Sequence, residues 1–235
     1  MSNTEINRLA DADGVARQAA SDLAVKLLSL LEEQPQVHLV LTGGTVGIKT
    51  LEQLAPLLAD KDLTNLQLWW GDERFVEALS PERNFVQSRD ALLSKLRIPV
   101  NNIHQMPSSD DGTLERVCAD FASAIESLAP QFDVVLLGMG PDGHVASLFP
   151  NSHPEQFGFW VVAESDSPKE PAKRISMSYQ ALCSATEVWF LVAGSDKAAA
   201  VARVFSAGEL PAARVSGREH TKWYLDEAAA SGITS

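Results

Sequence analysis

The sequence predicts an α/β fold in one domain, residues 1–235, with a mostly parallel sheet covered by helices on both faces. Two observations carry that expectation. Apolar runs such as Val134-Val135-Leu136-Leu137 show no polar alternation, as expected of parallel strands buried on both faces. These runs alternate with segments of helical periodicity, the rhythm of βαβ units. A third observation concerns chemistry: several runs end in glycine-rich or charged turns, at the strand edge where open α/β sheets bind ligands.

Taken in order, a short opening strand is expected near residues 4–9. Residues 11–33 follow as a helix, with Val15, Ala19, Leu23, Leu27 and Leu30 on one face. The strand VHLVLTG leads through Gly43-Gly44-Thr45 into a second helix carrying Ile48, Leu51, Leu54, Ala55 and Leu58, and then into the strand LQLWWG. A helix is expected over 84–96, a short strand over 103–106, a helix over 110–128 and the strand DVVLLG. FWVVAE and EVWFLVAG read as strands, 195–205 as a helix and 221–225 as a closing strand. The expected architecture is Rossmann-like.

Composition narrows the function. A net charge of -12 argues against nucleic acid or an anionic membrane as partner. It leaves room for a small anionic substrate, because screening confines exposed charges to about 8 Å at physiological ionic strength. No apolar run approaches the roughly 18 residues of a membrane helix, and the N-terminal residues lack the features of a signal peptide. A cytoplasmic protein is expected, with no obligate protein partner implied. The two cysteines, Cys118 and Cys183, form no CxxC pair. Cys118 shares a helical face with Leu114, Phe121, Ile125 and Leu128, which reads as a buried, inert thiol. The five histidines show no HxxxH spacing, so no metal is expected.

The most informative stretch is FDVVLLGMGPDGHVASLFP, residues 132–150, where an apolar run breaks into a turn presenting Asp142 and His144. Its glycines also spell Gly138-x-Gly140-x-x-Gly143, and Glu164 lies about twenty positions on, as in a dinucleotide fingerprint. The fingerprint needs a helix after the glycines. Pro150, Asn151, Ser152 and Pro154 leave no room for one, so no nucleotide cofactor is expected.

Three other strand ends stand out. Gly43-Gly44-Thr45 runs into a helix start, where free N–H groups suit a phosphate; alone, the pattern more often describes a tight turn with no ligand. Gly71-Asp72-Glu73-Arg74 follows Trp69-Trp70 and reads either as a solvated turn or as a charged pocket wall. Arg174 leads the alternation RISMS, and Lys197 lies near a helix start, against the dipole, where a bound phosphate would compensate it.

Together these segments resemble the 6-phosphogluconolactonases of the sugar-phosphate isomerase and deaminase superfamily. The resemblance rests on Thr42-Gly43-Gly44-Thr45, Gly71-Asp72-Glu73-Arg74-Phe75-Val76 with Asn84, Asp142-Gly143-His144-x-Ala146-Ser147-Leu148-Phe149-Pro150, Arg174, and Gly194-x-x-Lys197-Ala198. Ser147-Leu148-Phe149-Pro150 separates the chain from the similar glucosamine-6-phosphate deaminases. Val46-Gly47 departs from the proline that the family often carries there.

The resemblance implies hydrolysis of a sugar-phosphate lactone without metal or nucleotide. His144 is then the general base and acid, Asp142 its orienting carboxylate and Arg74 the oxyanion donor, with Asp72 a further catalytic candidate. Gly43, Gly44, Thr45, Arg174 and Lys197 are the expected phosphate ligands. A deaminase-like enzyme and a non-catalytic sugar-phosphate sensor are the competing readings.

Overall fold

The computed structural model describes residues 3–206 and 208–233. Its main sheet has six parallel strands in the order β1-β10-β9-β5-β2-β3. These are β1 (Asn3–Leu9), β2 (Val37–Leu41), β3 (Leu66–Trp70), β5 (Val134–Leu137), β9 (Glu187–Val192) and β10 (His220–Asp226). A second sheet of four antiparallel strands contains β4 (Asp72–Arg74), β8 (Arg174–Met177), β7 (Val161–Glu164) and β6 (Glu155–Phe157), in that order.

Strand periodicity divides the interior into two cores. Side chains alternate across a strand, so Val134 and Leu136 face one side of the main sheet and Val135 and Leu137 the other. The first side, with Leu39, Leu41, Leu68 and Trp70, is covered by α1 (Ala12–Glu33), α2 (Gly44–Leu58) and α3 (Asn84–Ala91). The second, with Val40, Trp69 and Phe190, packs against α4 (Leu114–Leu128), α6 (Ala198–Ser206) and the small sheet. A short helix, α5 (Tyr179–Cys183), follows β8.

Helix α1 starts where Asp11 accepts the Gly14 N–H at 2.7 Å, and its Leu23 and Leu27 are fully buried. Truncating either leucine to alanine should cost about 2–5 kcal/mol.

Several expected boundaries move. The helix expected over 84–96 ends at Ala91, because Leu92 leaves helical geometry (φ -127°, ψ -61°), and a 3₁₀ turn follows over Leu93–Lys95. The helix expected over 110–128 begins at Leu114, behind a Thr113 cap; Gly112 at φ 145° breaks the chain from the preceding turn. Residues 103–106 are not a strand: only Ile103 bridges Leu68, and Pro107 has no N–H to extend a ladder. The start of the FWVVAE run shifts to Val161, and this strand runs antiparallel in the small sheet, as its three-residue connection from β6 permits. Leu128, expected on the buried face with Cys118, is 57% exposed at the end of α4.

Neighbouring β2 and β5 send their chains in opposite directions, one toward β3 and the other toward β9. A crevice outside their carboxyl ends is the topological switch point of the sheet. Gly71 alone separates β3 from β4 and joins the two sheets: its N–H donates to Leu41 O at 2.9 Å, and its carbonyl accepts the Met177 N–H at 2.8 Å.

Candidate active site

A cavity of about 620 Å³ opens at this switch point. Its walls include Thr42, Gly43, Gly44 and Thr45 after β2, Asp72 and Arg74 on β4, and Gly140 and His144 after β5. Arg174 from β8 and Lys197 ahead of α6 complete the wall. Every expected site residue lines it except Asp142, which stands behind His144.

The loop after β5 is built around the His144 ring. Gly143 N–H donates to Gly140 O, and Gly140 N–H to His144 O, closing a tight turn. Asp142 Oδ1 lies 2.5 Å from His144 Nδ1, and the Phe149 ring packs at 4.6 Å between centroids. Position 140 admits glycine alone, since a Cβ there would sit 2.0 Å from ring atoms of His144. Burial lowers the His144 pKa from its ordinary value; Asp142 opposes this through its hydrogen bond and charge. Burial works to raise the Asp142 carboxyl, but its contacts with His144 win and hold it below the usual carboxylate range. The consistent state is a neutral imidazole donating Nδ1–H to a carboxylate. Nε2 then has no partner among the described residues.

The β2 end opens a helix start onto the cavity. Gly43 caps α2 without a side-chain hydrogen bond, leaving first-turn N–H groups of a 15-residue helix at the cavity wall. Thr42 Oγ1 accepts the Gly138 N–H at 3.2 Å and so fixes this turn against the loop of His144. A Cβ at position 43 would meet the Asn84 amide at 1.9 Å, so the glycine lets α3 approach.

The β4 segment is a buried pocket wall rather than a solvated turn. Glu73 is 1% exposed, accepts the Arg74, Asn84 and Phe85 N–H groups, and pairs with Arg83 at 3.4 Å. Burial raises its carboxyl against those contacts. By capping α3 it places Asn84, whose Nδ2 donates to Asp72 O at 2.8 Å and whose Oδ1 accepts from Arg74 Nη1. Asp72 also accepts the Ser147 hydroxyl at 2.6 Å and lies 3.9 Å from Arg174 Nη1.

Arg174 is 5% exposed, and most of its donors are already engaged: Nε donates to Pro171 O, and Nη2 to Lys169 O and Glu170 O. Lys197 pairs with Asp196 at 2.9 Å. Asp226 accepts the Gly194 N–H at 3.0 Å and anchors the turn that carries Lys197. Sequence reasoning left Glu73 between a solvated turn and a pocket wall, and passed over Asp226 and Lys169. Their only signal was a charge, at or near a strand end for Glu73 and Asp226 and in a charge-rich loop for Lys169.

Cys118 is fully buried, and burial pushes its thiol up to about 12, fitting an inert residue. Among the described residues no cluster of His, Cys, Asp or Glu side chains could hold a metal ion, and no helix is long and apolar enough to cross a membrane.

A doubly wound sheet whose switch point sets an open helix start beside a carboxylate-bonded histidine offers the groups that an enzyme acting on a small phosphorylated substrate would use. The chain belongs to the glucosamine-6-phosphate isomerase/6-phosphogluconolactonase family, whose model matches residues 10–223. It is 41% identical to a 6-phosphogluconolactonase of Streptomyces coelicolor, across 95% of this chain and 92% of that one. It is 37% identical to one of Mycobacterium tuberculosis, across 99% and 100%. The crystal structure of 6-phosphogluconolactonase from Thermotoga maritima superposes with a TM-score of 0.86 at 31% identity, covering 95% of this chain and all of that one.

Proposed function

We propose that this chain hydrolyses 6-phospho-D-glucono-1,5-lactone to 6-phosphogluconate, the hydrolase step of the pentose phosphate pathway. The observation that carries the reading is the Asp142–His144 pair, which shares one cavity with the Gly43-Gly44 cradle.

In the chemistry this geometry supports, Nε2 of neutral His144 takes a proton from water as the oxygen attacks the lactone carbonyl. The carbonyl electrons move onto oxygen, giving a tetrahedral oxyanion. Arg74 faces that charge with a permanently charged donor array. Collapse re-forms the carbonyl and breaks the bond to the ring oxygen, which receives the proton from the His144 imidazolium and leaves as the 5-hydroxyl. Asp142 stabilises the imidazolium and holds the ring so that Nε2 faces the substrate. Asp72 also favours the imidazolium through its charge and keeps Ser147, Asn84 and Arg174 in register.

Phosphate recognition falls to the N–H groups of Gly43, Gly44 and Thr45, with Lys197 and the Nη1 side of Arg174. The deciding experiment is a lactonase assay on freshly made phosphogluconolactone, with the spontaneous rate subtracted. Binding without turnover would defeat the reading in favour of a sensor. Deamination of glucosamine 6-phosphate in place of lactone hydrolysis would defeat it in favour of the isomerase branch.

A further inference from the structure

The wall of the cavity carries one more cation, Lys169, on the segment joining β7 to β8. Its backbone is held from two directions. Arg174 donates to the carbonyls of Lys169 at 3.1 Å, Glu170 at 3.2 Å and Pro171 at 3.1 Å. Ser167 Oγ donates to Lys169 O at 3.0 Å and accepts the Lys169 N–H at 3.2 Å, while Ser167 N–H donates to Ala172 O at 3.1 Å across the base of the loop. A guanidinium this buried must satisfy its donors, and the loop carbonyls do so; the arginine therefore fixes the loop to the sheet.

The ammonium itself is differently placed. It forms no ion pair or hydrogen bond among the described residues, although Asp142, Lys197, Arg174 and Arg74 all act on it. Of these charges Asp142 acts most strongly, and the ammonium acts on His144 in turn, so Lys169 stands within electrostatic reach of that pair from the cavity wall they share. A fixed loop presenting an unpaired cation beside the catalytic pair has a use for it: negative charge that appears there during reaction.

We propose that Lys169 is a further substrate-contacting residue, which stabilises the oxygens of the lactone carbonyl as they become charged, and that Arg174 is the positioning residue presenting it. The inference rests on the lactonase reading. It gives the loop a function distinct from covering the site, and it assigns Arg174 a role beyond phosphate binding.

A second consequence concerns the base. The groups facing His144 are Asp142 and Asp72, which favour its protonated form, the uncharged ring of Phe149, and Lys169, which disfavours that form. Lys169 thus helps to keep His144 neutral before water attack.

The test compares wild type, Lys169→Met and Lys169→Arg on phosphogluconolactone and on unphosphorylated gluconolactone, with kcat/KM followed from about pH 5 to 8. Lys169→Met should lower kcat/KM about tenfold on both lactones, the lower end for a charge-assisted contact because the side chain is exposed. The acid limb should move to higher pH. Lys169→Arg should restore most of the rate and return the limb.

Arg174→Gln should cost less in the Lys169→Met background than in wild type, since both changes remove one contact. An unchanged rate, a loss confined to the phosphorylated lactone, a loss with an unmoved acid limb, or additive losses would each overturn the proposal. An inactive wild type would instead overturn the lactonase reading.

Discussion

The Asp142 carboxylate meets Nδ1 of His144 at 2.5 Å although a single residue, Gly143, separates them in sequence. Orientation of the imidazole is thus local to one turn and does not depend on distant packing. His144→Asn should lower kcat by about 10² or more while substrate affinity changes by only several-fold. Asp142→Asn should also lower kcat, because an amide can stabilise the wrong tautomer. Single-turnover rates with binding measured by calorimetry check both, and near-normal turnover in folded His144→Asn would remove that residue from the mechanism.

The pH profile follows from the same turn. The base must be unprotonated in the free enzyme, so kcat/KM should rise with pH through the pKa of His144. Burial sets that value below the ordinary imidazole value of 6.5. The acid limb should therefore have its midpoint below pH 6.5. In Asp142→Asn the upward pull is gone and the limb should move lower still. Residual activity measured across the acid range decides this; a limb that moves upward in Asp142→Asn would contradict the assignment.

The two basic phosphate candidates should separate on substrate choice. Lys197→Ala should weaken the phosphorylated lactone about 10 to 100-fold and leave unphosphorylated gluconolactone nearly untouched, as expected for loss of one charge-assisted contact. Arg174→Ala should impair both, because three carbonyls of the Lys169 loop lose their donor. Ratios of kcat/KM for the two lactones provide the check, and equal ratios in the two variants would refute the distinction.

Acid stability should depend on a histidine remote from the chemistry. His104 stacks on Trp69 at 3.9 Å, and Trp69 Nε1 donates to His38 Nδ1 at 3.1 Å. Burial, then the neighbouring His38, lowers His104 to about 4. Between about pH 4 and the unfolded value of 6.5 the unfolded chain binds the extra proton. Stability should be complete above pH 6.5 and decline as pH falls toward 4. The loss should reach about 1–3 kcal/mol, allowing for partial exposure. Urea titrations followed by tryptophan fluorescence should show this slope reduced in His104→Phe, and an identical slope would exclude His104 as its source.

Much of the main sheet was legible because its strands are long apolar runs whose burial on both faces suppresses alternation. The glycine turns were legible because their chemistry is local. The small sheet was not. Strands β4 and β6 span only three residues each, too few for a period to register, and the apolar letters of β7 carry no information about direction. Lys169 was hidden in a charge-rich stretch, residues 165–173, which reads as solvated loop. Arg174 was visible as a basic residue, but its carbonyl partners emerge only when the loop folds back on β8. Glu73 was ambiguous for a related reason: three successive charges describe a surface until the start of α3 is placed against them.

The single residue between β3 and β4 has a mechanical consequence. With its N–H tied to Leu41 and its carbonyl to Met177, Gly71 acts as a weld between two sheets that otherwise differ in strand direction. A displacement of the small sheet therefore loads the end of β2, and neither sheet is free to melt by itself. The Gly71 and Met177 amides should exchange hydrogen only through global opening, at the same free energy as the centre of β5. Two cavity walls joined in this way are expected to keep their spacing until the fold itself opens.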